Sequence, residues 1–452
     1  MNAKKFRFRL TPARIVLLSF LLMIVLGTAL LSLPFASRRS GGAPLETALF
    51  TAVSAVCVTG LVVQDTAQYW TGFGQGVILC LIQVGGMGVV TMAVLLMMFS
   101  GKKIGLRQRF IMQESISAPQ VGGIVRMTGM ILKVTLCTEL SGALLFATRL
   151  CPRFGLFRGL WMSLFHSVSA FCNAGFDLMG SLGTPFSSLT AFSGDAIVNI
   201  TAVLLILIGG LGFWTWRDIQ EHGRHLKRYS AQSKLILAAS GVLIVGGFLF
   251  MFFYELRLQQ WQALGLSEPR LAVAALFHTV TPRTAGFNTL DLSVMSPAGQ
   301  LVTLAMMLIG GAPGSTAGGF KLTTIAVLVL CVRSVFQGKD SVYAFGRRIP
   351  EATVRAAAAL FVLYILLFLG VGLFIACFEG IALMPALFES ASAIATVGLS
   401  LGLTPGLSTL SHILLMLLMV FGRVGGLTLI YAVSNPRASD GARFPQEAVA
   451  VG

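Results

Sequence analysis

Four stretches of the sequence decide the fold: ALFTAVSAVCVTGL (48–61), SLFHSVSAFCNAGF (163–176), ALFHTVTPRTAGF (275–287) and ALFESASAIATVGL (386–399). Each begins with a small residue followed by Leu and Phe, and each ends in Gly followed by Leu or Phe; the third is one residue shorter. The glycines Gly60, Gly175, Gly286 and Gly398 recur at intervals of 115, 111 and 112 residues. A period this regular indicates four quasi-equivalent units.

The composition indicates a membrane protein, because 56% of the 452 residues are apolar and only 11% are charged. Soluble domains have roughly one quarter charged residues. Long apolar segments lie at 15–35, 73–99, 124–150, 192–215, 235–256, 298–330, 354–377 and 408–432. Each segment is near the ~20 residues that a spanning helix needs, whereas the quoted stretches between them suit re-entrant helices.

We therefore predict an all-α polytopic membrane protein built from four parallel M1-P-M2 repeats. Eight spanning helices and four re-entrant pore helices would surround one pseudo-fourfold pore. The predicted repeats cover residues 1–100, 101–233, 234–350 and 351–452, the third with an intramembrane gating loop and the fourth with a C-terminal tail.

The charge pattern predicts the topology. The formal charge of +16 comes from short basic runs between apolar segments, which argues against a nucleic-acid partner. Segments rich in Lys and Arg alternate along the chain with segments that contain few of them. By the positive-inside rule, both termini are therefore expected on the cytoplasmic side of a bacterial cell membrane. A cleaved signal peptide is the alternative for the first 37 residues, but the run from Ile15 to Leu33 is long enough to span. The seven Cys form no CxxC pair, which gives no indication of a metal site or a disulfide.

The glycine that ends each stretch suggests an ion filter. Only glycine reaches positive φ without steric cost, and residues of alternating handedness can direct their carbonyl oxygens to one axis. Neutral carbonyl ligands suit a hard monovalent cation. The predicted filter residues are Val58, Thr59, Gly60, Asn173, Ala174, Gly175, Thr284, Ala285, Gly286, Thr396, Val397 and Gly398.

A second unusual stretch, MLIGGAPGSTAGGFKL (307–322), interrupts the sixth apolar segment. Ten consecutive Gly, Ala, Pro, Ser or Thr residues cannot form a stable continuous helix. One interpretation is a packing kink between closely spaced helices; the other is a flexible loop below the filter that gates ion flow. The candidate gate residues are Gly310, Gly311, Gly314, Ser315, Thr316, Gly318, Gly319 and Arg423.

Arg423 belongs to the gate because it is a basic residue deep within the last apolar segment. An unpaired charge there is expensive. It either pairs with the carbonyls of the gating loop or forms an electrostatic barrier to cations, and both alternatives place it near residues 310–319. We expect Arg423→Ala to raise cation flux.

Other polar residues in or near the predicted repeats allow two interpretations. His166, His278 and Glu389 occupy equivalent positions on three pore helices, with Thr51 on the first, and either relay protons or form hydrogen bonds behind the filter. Asp65, Asp177 and Asp291 follow the loops and either concentrate cations at the outer mouth or belong to a solvated loop face. Glu139 lies within a predicted span, and the sequence suggests no partner for it.

With one Gly in each of four ordered loops, the whole chain resembles the Trk/Ktr/HKT superfamily of potassium transporters, most closely its Ktr-type membrane subunits. The resemblance implies potassium uptake, a channel-like fold, a homodimer in membrane lipid, and a cytoplasmic RCK-type nucleotide-binding regulatory subunit of the KtrA kind. It also implies that the broken helix at 310–319 is the gate. The chain itself is expected to bind no cofactor, with potassium as its substrate.

The filter departs from the TVGYG loop of potassium channels. Only the fourth loop reads TVG, and Leu399 and Ser400 follow where a channel has Tyr and Gly. Selectivity for potassium over sodium, and dependence on sodium, therefore stay open. The alternative function is a sodium- or proton-coupled secondary cation transporter, although its inverted repeats would contain an odd number of spans. A membrane enzyme or receptor would require a polar catalytic cluster or a folded soluble domain, and the sequence suggests neither.

Overall fold

A computed structural model describes residues 11–89, 91–92, 105–115, 124–182, 184–262, 265–426 and 428–429. The chain is mostly helical. The charge pattern predicts that both termini are cytoplasmic, but both lie outside the described residues. We number the principal helices in chain order.

The helices recur in one order: a long helix, a short helix, a glycine loop and a further helix. They are α1 (Pro12–Leu31), α2 (Leu45–Val56), α3 (Gly72–Met87), α4 (Ile124–Phe154), α5 (Leu156–Phe171), α6 (Ala196–Gly210), α7 (Phe213–His222), α8 (Ala231–Phe253), α9 (Glu268–Val280), α10 (Pro297–Leu308), α11 (Leu322–Phe336), α12 (Glu351–Glu379), α13 (Leu383–Ile394) and α14 (Thr409–Val424). Short helices also occur at Thr66–Tyr69, Leu106–Ser115 and Gln259–Gln262, and the strands Tyr343–Ala344 and Arg347–Arg348 pair antiparallel.

The short helices α2, α5, α9 and α13 lie in the core. Each packs against the long helix that precedes it. The Phe of each quoted stretch is completely buried, as Phe50, Phe165, Phe277 and Phe388. The shared Leu-Phe motif thus anchors each short helix against its neighbours by burying a large apolar side chain.

The long helices present their apolar side chains outward. Leu22, Val25, Leu144, Val242 and Leu366 are exposed by 58 to 72%. An apolar surface of this extent is typical of a protein whose surroundings are lipid. Among the described helices, α1, α4, α8 and α12 are long and apolar enough to cross a membrane, and α6 with α7 forms a fifth candidate bent by 94°. The other predicted spans contain shorter helices.

The helices that follow the glycine loops are interrupted, whereas the sequence predicted continuous spans in the first, second and fourth units. Helix α3 ends before Gly88, α6 before Gly212 and α14 before Gly425, and these glycines have φ of 85°, 85° and 90°. Because a left-handed residue cannot continue an α-helix, each helix stops or turns there. The third unit breaks over residues 309–321, as the sequence predicted.

Candidate functional site: a ring of four glycine loops

The four glycine loops, residues 57–60, 172–175, 283–286 and 395–398, close into a ring. A Cβ atom built on each glycine would meet the carbonyl oxygen of the residue before the glycine in the next loop. The separations are 2.4 Å from Gly60 to Ala174, 2.8 Å from Gly175 to Ala285, 2.2 Å from Gly286 to Val397 and 2.2 Å from Gly398 to Thr59. Since the fourth loop returns to the first, the loops surround a common centre in chain order.

The loop backbone alternates in handedness. The four glycines have φ between 68° and 94°, and the residue two positions before each glycine has φ between 50° and 69°. Those residues are Val58, Asn173, Thr284 and Thr396. Positive φ is costly for β-branched residues and persists only where the surroundings enforce it. An alternating backbone of this kind can direct successive carbonyl oxygens toward one axis, as cation coordination requires.

Hydroxyl groups at the ends of the short helices hold the loops in place. Ser54 Oγ accepts from the Gly60 amide at 3.0 Å, and Ser392 Oγ accepts from the Gly398 amide at 2.9 Å. In the other units Ser169 and Thr281 donate to carbonyls just beyond the loop. These residues were not predicted from the sequence, although a hydroxyl residue stands at the seventh position of all four quoted stretches.

An outer cavity of about 430 Å³ lies on one side of the ring and is lined by all four glycines. Asp65, Asp177 and Asp291 also line it. Asp65 accepts from the amides of Ala67, Gln68 and Phe186, and Asp291 accepts from the amide of Ser293. The Met179 amide likewise donates to Asp177 Oδ1 at 2.9 Å, so all three carboxylates have local hydrogen bonds. Burial, together with the nearby Asp65, raises the pKa of Asp177 to about 7.

The three equivalent polar residues on the short helices form hydrogen bonds behind the ring. His166 Nδ1 lies 2.6 Å from the Met162 carbonyl oxygen, and its Nε2 accepts from the Leu178 amide at 3.2 Å. Glu389 accepts from Thr404 Oγ1 at 2.6 Å and also from Ser400, whereas His278 contacts Thr303. Since both ring nitrogens of His166 are occupied, these contacts favour packing behind the loops over a proton relay.

Residues 309–321, which we call the inner loop, dock against the second unit. The Thr316 amide donates to the Gly209 carbonyl at 3.2 Å, and Thr316 Oγ1 donates to the Phe171 carbonyl at 3.0 Å. The Phe213 amide donates to the Gly314 carbonyl at 2.7 Å. This last contact lies at the bend between α6 and α7. The sequence could not predict the bend, because its partner is a backbone carbonyl from another unit.

The inner loop also passes directly beneath the fourth unit. A Cβ atom built on Gly318 would lie 2.1 Å from Thr396 Oγ1, and one built on Gly319 would lie 2.5 Å from the Ala395 carbonyl oxygen. The Gly319 amide donates to the Gly422 carbonyl at 3.1 Å. The run of small residues thus allows the loop to approach the ring from the inner side.

The first residues of the inner loop pack against the loop itself. The Gly310 amide donates to the Phe320 carbonyl at 2.8 Å, and the Leu322 amide donates to the Gly311 carbonyl at 3.1 Å. Ser315 Oγ donates to the Ala312 carbonyl at 2.6 Å. The predicted gate residues from Gly310 to Gly319 therefore lie in one continuous segment below the ring, whereas Arg423 lies on α14.

Arg423 pairs with carbonyl oxygens, one of the two alternatives that the sequence left open. Its guanidinium donates to the carbonyls of Thr316, Gly85 and Gly86, the last at 2.9 Å. Gly85 and Gly86 lie in the last turn of α3, where the helix dipole favours a cation. Arg423 thus joins the first, third and fourth units. It also lines an inner cavity of about 200 Å³ together with Lys321.

In the sequence, a pair of glycines recurs in the segment after each loop, in LIQVGG (81–86), LILIGG (205–210), MLIGG (307–311) and FGRVGG (421–426). The structure shows a different equivalence in the fourth unit. A Cβ atom built on Gly85, Gly209 or Gly422 would lie 2.0 to 2.1 Å from the carbonyl oxygen of the residue four positions before the loop glycine. Gly422, rather than the Gly425–Gly426 pair, is therefore equivalent to Gly85 and Gly209. Arg423 occupies the position of the second glycine of each pair, which explains why its side chain reaches the inner loop.

Two buried charged residues have partners that the sequence did not reveal. Glu139, 4% exposed, accepts from Gln83 Nε2 at 3.4 Å across the boundary between the first two units. Arg283, 6% exposed, donates to Ser240 Oγ at 2.9 Å. Arg283 was not predicted to have a role, although Cys57, Cys172 and Ala395 stand at the same position of the other loops, three residues before the glycine. A charged residue among small ones was the available signal.

Comparison with known proteins identifies the family. Residues 11–440 match the TrkH family of cation transport proteins. The chain belongs to this family. It is 37% identical to the potassium/sodium uptake protein NtpJ of Enterococcus hirae, over 99% of both chains. It is also 37% identical to the Ktr system potassium uptake protein B of Bacillus subtilis, over 98% of this chain and 97% of the relative.

The fold of this family member agrees with a solved structure. The potassium transporter TrkH from Vibrio parahaemolyticus superposes with a TM-score of 0.72, over 95% of this chain and 87% of that one, at 22% identity. The resemblance drawn from the four loops is thereby confirmed. The chain is a membrane ion transporter, and the expectation that it is not an enzyme is also confirmed.

Proposed function

We propose that this chain is the ion-translocating subunit of a potassium uptake system. The observation that carries the proposal is the ring, in which four loops of alternating handedness bring carbonyl oxygens around one centre. Both the potassium/sodium uptake protein and the Ktr potassium uptake protein B match this chain over nearly their whole length. Potassium is the substrate, and no cofactor is required of this chain.

The filter uses the carbonyls of the twelve loop residues predicted from the sequence. Carbonyl oxygens replace the water shell of the ion, and the ring geometry sets their spacing. Each glycine faces the carbonyl of the next loop too closely to accept a side chain. A monovalent cation is favoured because the loop ligands are neutral.

The inner loop is the gate, and Arg423 holds it closed. The loop lies beneath the ring. Its hydrogen bonds to the second and fourth units are mostly between backbone groups, apart from those made by the Thr316 hydroxyl and by Arg423, and they can be broken as a set. Arg423 contributes the bond to Thr316 while staying anchored on α3. Movement of the loop away from Arg423 would connect the ring to the inner cavity.

The four units correspond to residues 1–100, 101–233, 234–350 and 351–452, and each crosses the membrane twice. The four long apolar helices and the bent pair support five crossings by length, and the shorter helices α3, α10, α11 and α14 would contribute to the other three. Eight crossings place both termini on the cytoplasmic face of a bacterial cell membrane, in agreement with the basic runs.

The chain works as a homodimer in membrane lipid, together with an RCK-type nucleotide-binding subunit on the cytoplasmic side. Three relatives carry the name of a Ktr system, which supports an assembly of several subunits. The described cytoplasmic segments are short, so nucleotide control would come from the partner.

Sodium dependence is the second candidate property. The name of the Enterococcus relative includes sodium as well as potassium, and the filter lacks the outer residues of a potassium channel. Sodium would act either as a second transported ion or as an activator of potassium uptake.

The test is expression in a bacterial strain that lacks potassium uptake. Wild type should restore growth on low potassium, and rubidium uptake should be saturable and inhibited by potassium. Uptake with and without sodium tests the second candidate. Gly286→Ser should lose uptake at normal protein levels, since its Cβ would overlap the Val397 carbonyl. Growth that stays as poor as in the empty strain would refute potassium uptake.

A further inference from the structure

The helix that follows each glycine loop has a polar side chain at its fourth residue, and this side chain bonds back to the segment before the helix. The four residues are Gln75 on α3, Asn199 on α6, Gln300 on α10 and His412 on α14. Their acceptors are the carbonyls of Trp70, Phe192, Met295 and Thr404, at 2.8 to 3.2 Å. Three units therefore hold this segment with an amide, which does not titrate, whereas the fourth uses a histidine.

His412 is buried and places both ring nitrogens against oxygen atoms. Nε2 lies 2.8 Å from the Thr404 carbonyl oxygen, and Nδ1 lies 2.7 Å from Glu46 Oε1 on α2 of the first unit. The Glu46 side chain is 38% exposed and belongs to the first turn of α2, where the helix dipole favours a carboxylate. A carbonyl and a carboxylate can only accept hydrogen bonds, so a ring that makes both bonds carries both protons.

Loss of one proton would break the bond to Thr404. A neutral ring keeps a single N–H, and the carboxylate of Glu46 is the stronger of the two acceptors. The remaining proton therefore stays on Nδ1. The lone pair of Nε2 then faces the lone pairs of the Thr404 carbonyl oxygen, and an attraction becomes a repulsion.

Thr404 belongs to residues 399–405, which we call the outer segment. The outer segment follows Gly398 directly and lines the outer cavity with Ser400, Leu401, Gly402 and Pro405. Thr404 Oγ1 donates to Glu389 behind the ring, while the Thr404 carbonyl accepts from His412. The outer segment is thus held from both sides at one residue.

The surroundings of His412 suit a charged ring. Helix α14 packs against α1, α2, α12 and α13. The basic residues of these four helices, Arg14 and Arg355, lie at the ends far from His412. Their charged groups at the level of His412 are the carboxyls of Glu46, Glu379 and Glu389.

We propose that His412, as an imidazolium, is the positioning residue of the outer segment, and that its deprotonation at alkaline outer pH lowers the maximal rate of uptake. This inference rests on the proposed potassium uptake. Displacement of the outer segment disturbs Gly398 and hence the fourth wall of the ring. A protein with a disturbed wall does not conduct, so the number of active proteins changes while the KM of the others does not.

The test uses the alternatives that the other units supply. His412→Gln reproduces the first and third units, and its amide can donate to Thr404 at any pH. In Glu46→Gln the new amide can donate to Nδ1, so a neutral ring keeps its proton on Nε2 and keeps the bond to Thr404. His225→Gln is the matched control, because His225 is an exposed histidine between α7 and α8.

Initial rates of rubidium uptake are measured at saturating rubidium in cells of the potassium-uptake-deficient strain, at an outer pH of about 6 and of about 9. The ordinary charge change of histidine lies below the upper value. Saturation removes any effect of pH on KM. Loss of a hydrogen bond from a charged donor should lower the wild-type rate about tenfold at the higher pH, relative to His412→Gln. His225→Gln should follow wild type, and Glu46→Gln should follow His412→Gln.

The same pH dependence in wild type and His412→Gln would overturn the proposal. Wild-type pH dependence in Glu46→Gln would also overturn it, because the carboxylate would then not select the nitrogen that keeps the proton. If His412→Gln does not reach the membrane, the comparison of Glu46→Gln with wild type decides. Wild type without uptake at either pH would instead refute the proposed uptake function.

Discussion

Removal of the Arg423 side chain should open the pathway. The guanidinium bonds to the Thr316 carbonyl of the inner loop and to the Gly85 and Gly86 carbonyls of α3. Of these three bonds of Arg423, only the one to Thr316 must break when the inner loop moves, because the other two join Arg423 to helix α3. Arg423→Ala therefore removes an interaction that stabilises the closed arrangement, and we expect cation uptake to rise.

The size of the increase follows from that one bond. A hydrogen bond to a charged group contributes about 1.5 to 3 kcal/mol, which corresponds to an increase of about 10- to 150-fold in the ratio of open to closed protein. Arg423→Lys should give a smaller increase. An ammonium group is a point charge and cannot span the carbonyls of the inner loop and α3 as a planar guanidinium does.

The assay is initial-rate rubidium uptake in cells of the potassium-uptake-deficient strain, normalised to membrane protein level. Arg333→Ala is the matched control, since Arg333 is an exposed basic residue on α11, the helix that follows the inner loop. Its uptake should match wild type. Unchanged or reduced uptake by Arg423→Ala at normal protein level would refute the reasoning, because the bond to Thr316 would then not oppose opening.

Three further predictions concern the ring and its outer cavity. Gly286→Ala should reduce potassium uptake about tenfold more than Gly175→Ala, because the added Cβ would lie 2.2 Å rather than 2.8 Å from the facing carbonyl; rubidium uptake rates check this. Ser392→Ala should destabilise the protein by about 1 to 3 kcal/mol, since the Gly398 amide loses its acceptor, whereas Ser392→Thr should not; thermal melting in detergent decides. The pKa of Asp177 is raised to about 7, so its carboxyl is neutral below that pH and negative above it. The KM for potassium should thus be about threefold lower at pH 8 than at pH 6, and Asp177→Asn should abolish the difference.

The ring was predictable because its geometry restricts the sequence. A left-handed residue next to a neighbouring carbonyl requires glycine, so Gly60, Gly175, Gly286 and Gly398 recur in register. The short helices were predictable for a similar reason, since each buries the same Leu-Phe motif. Where the backbone conformation admits only one residue type, that residue recurs at the same position of every repeat. Such a pattern is visible in the sequence alone.

The inner contacts were not predictable because their acceptors are backbone carbonyls. Arg423 was expected near residues 310–319, but nothing in the sequence indicates Gly85 and Gly86 as its other partners. The bend at Gly212 likewise depends on a bond to Gly314 from another unit. Every residue has a backbone carbonyl, so a contact to a carbonyl does not require a particular residue type at the acceptor position. It restricts the sequence only where the space around the contact excludes large side chains.

The same distinction explains why the ring is nearly symmetric whereas the inner side is not. Four equivalent backbones can surround an ion, and Gly85, Gly209 and Gly422 pack alike beneath three of the loops. A gate requires one segment to move while the others hold it. In the proposed gate, the third unit supplies that segment as the inner loop. The fourth unit has Arg423 in place of a glycine, and its side chain reaches the loop. Loss of symmetry at these two places is therefore where control of the pathway should lie.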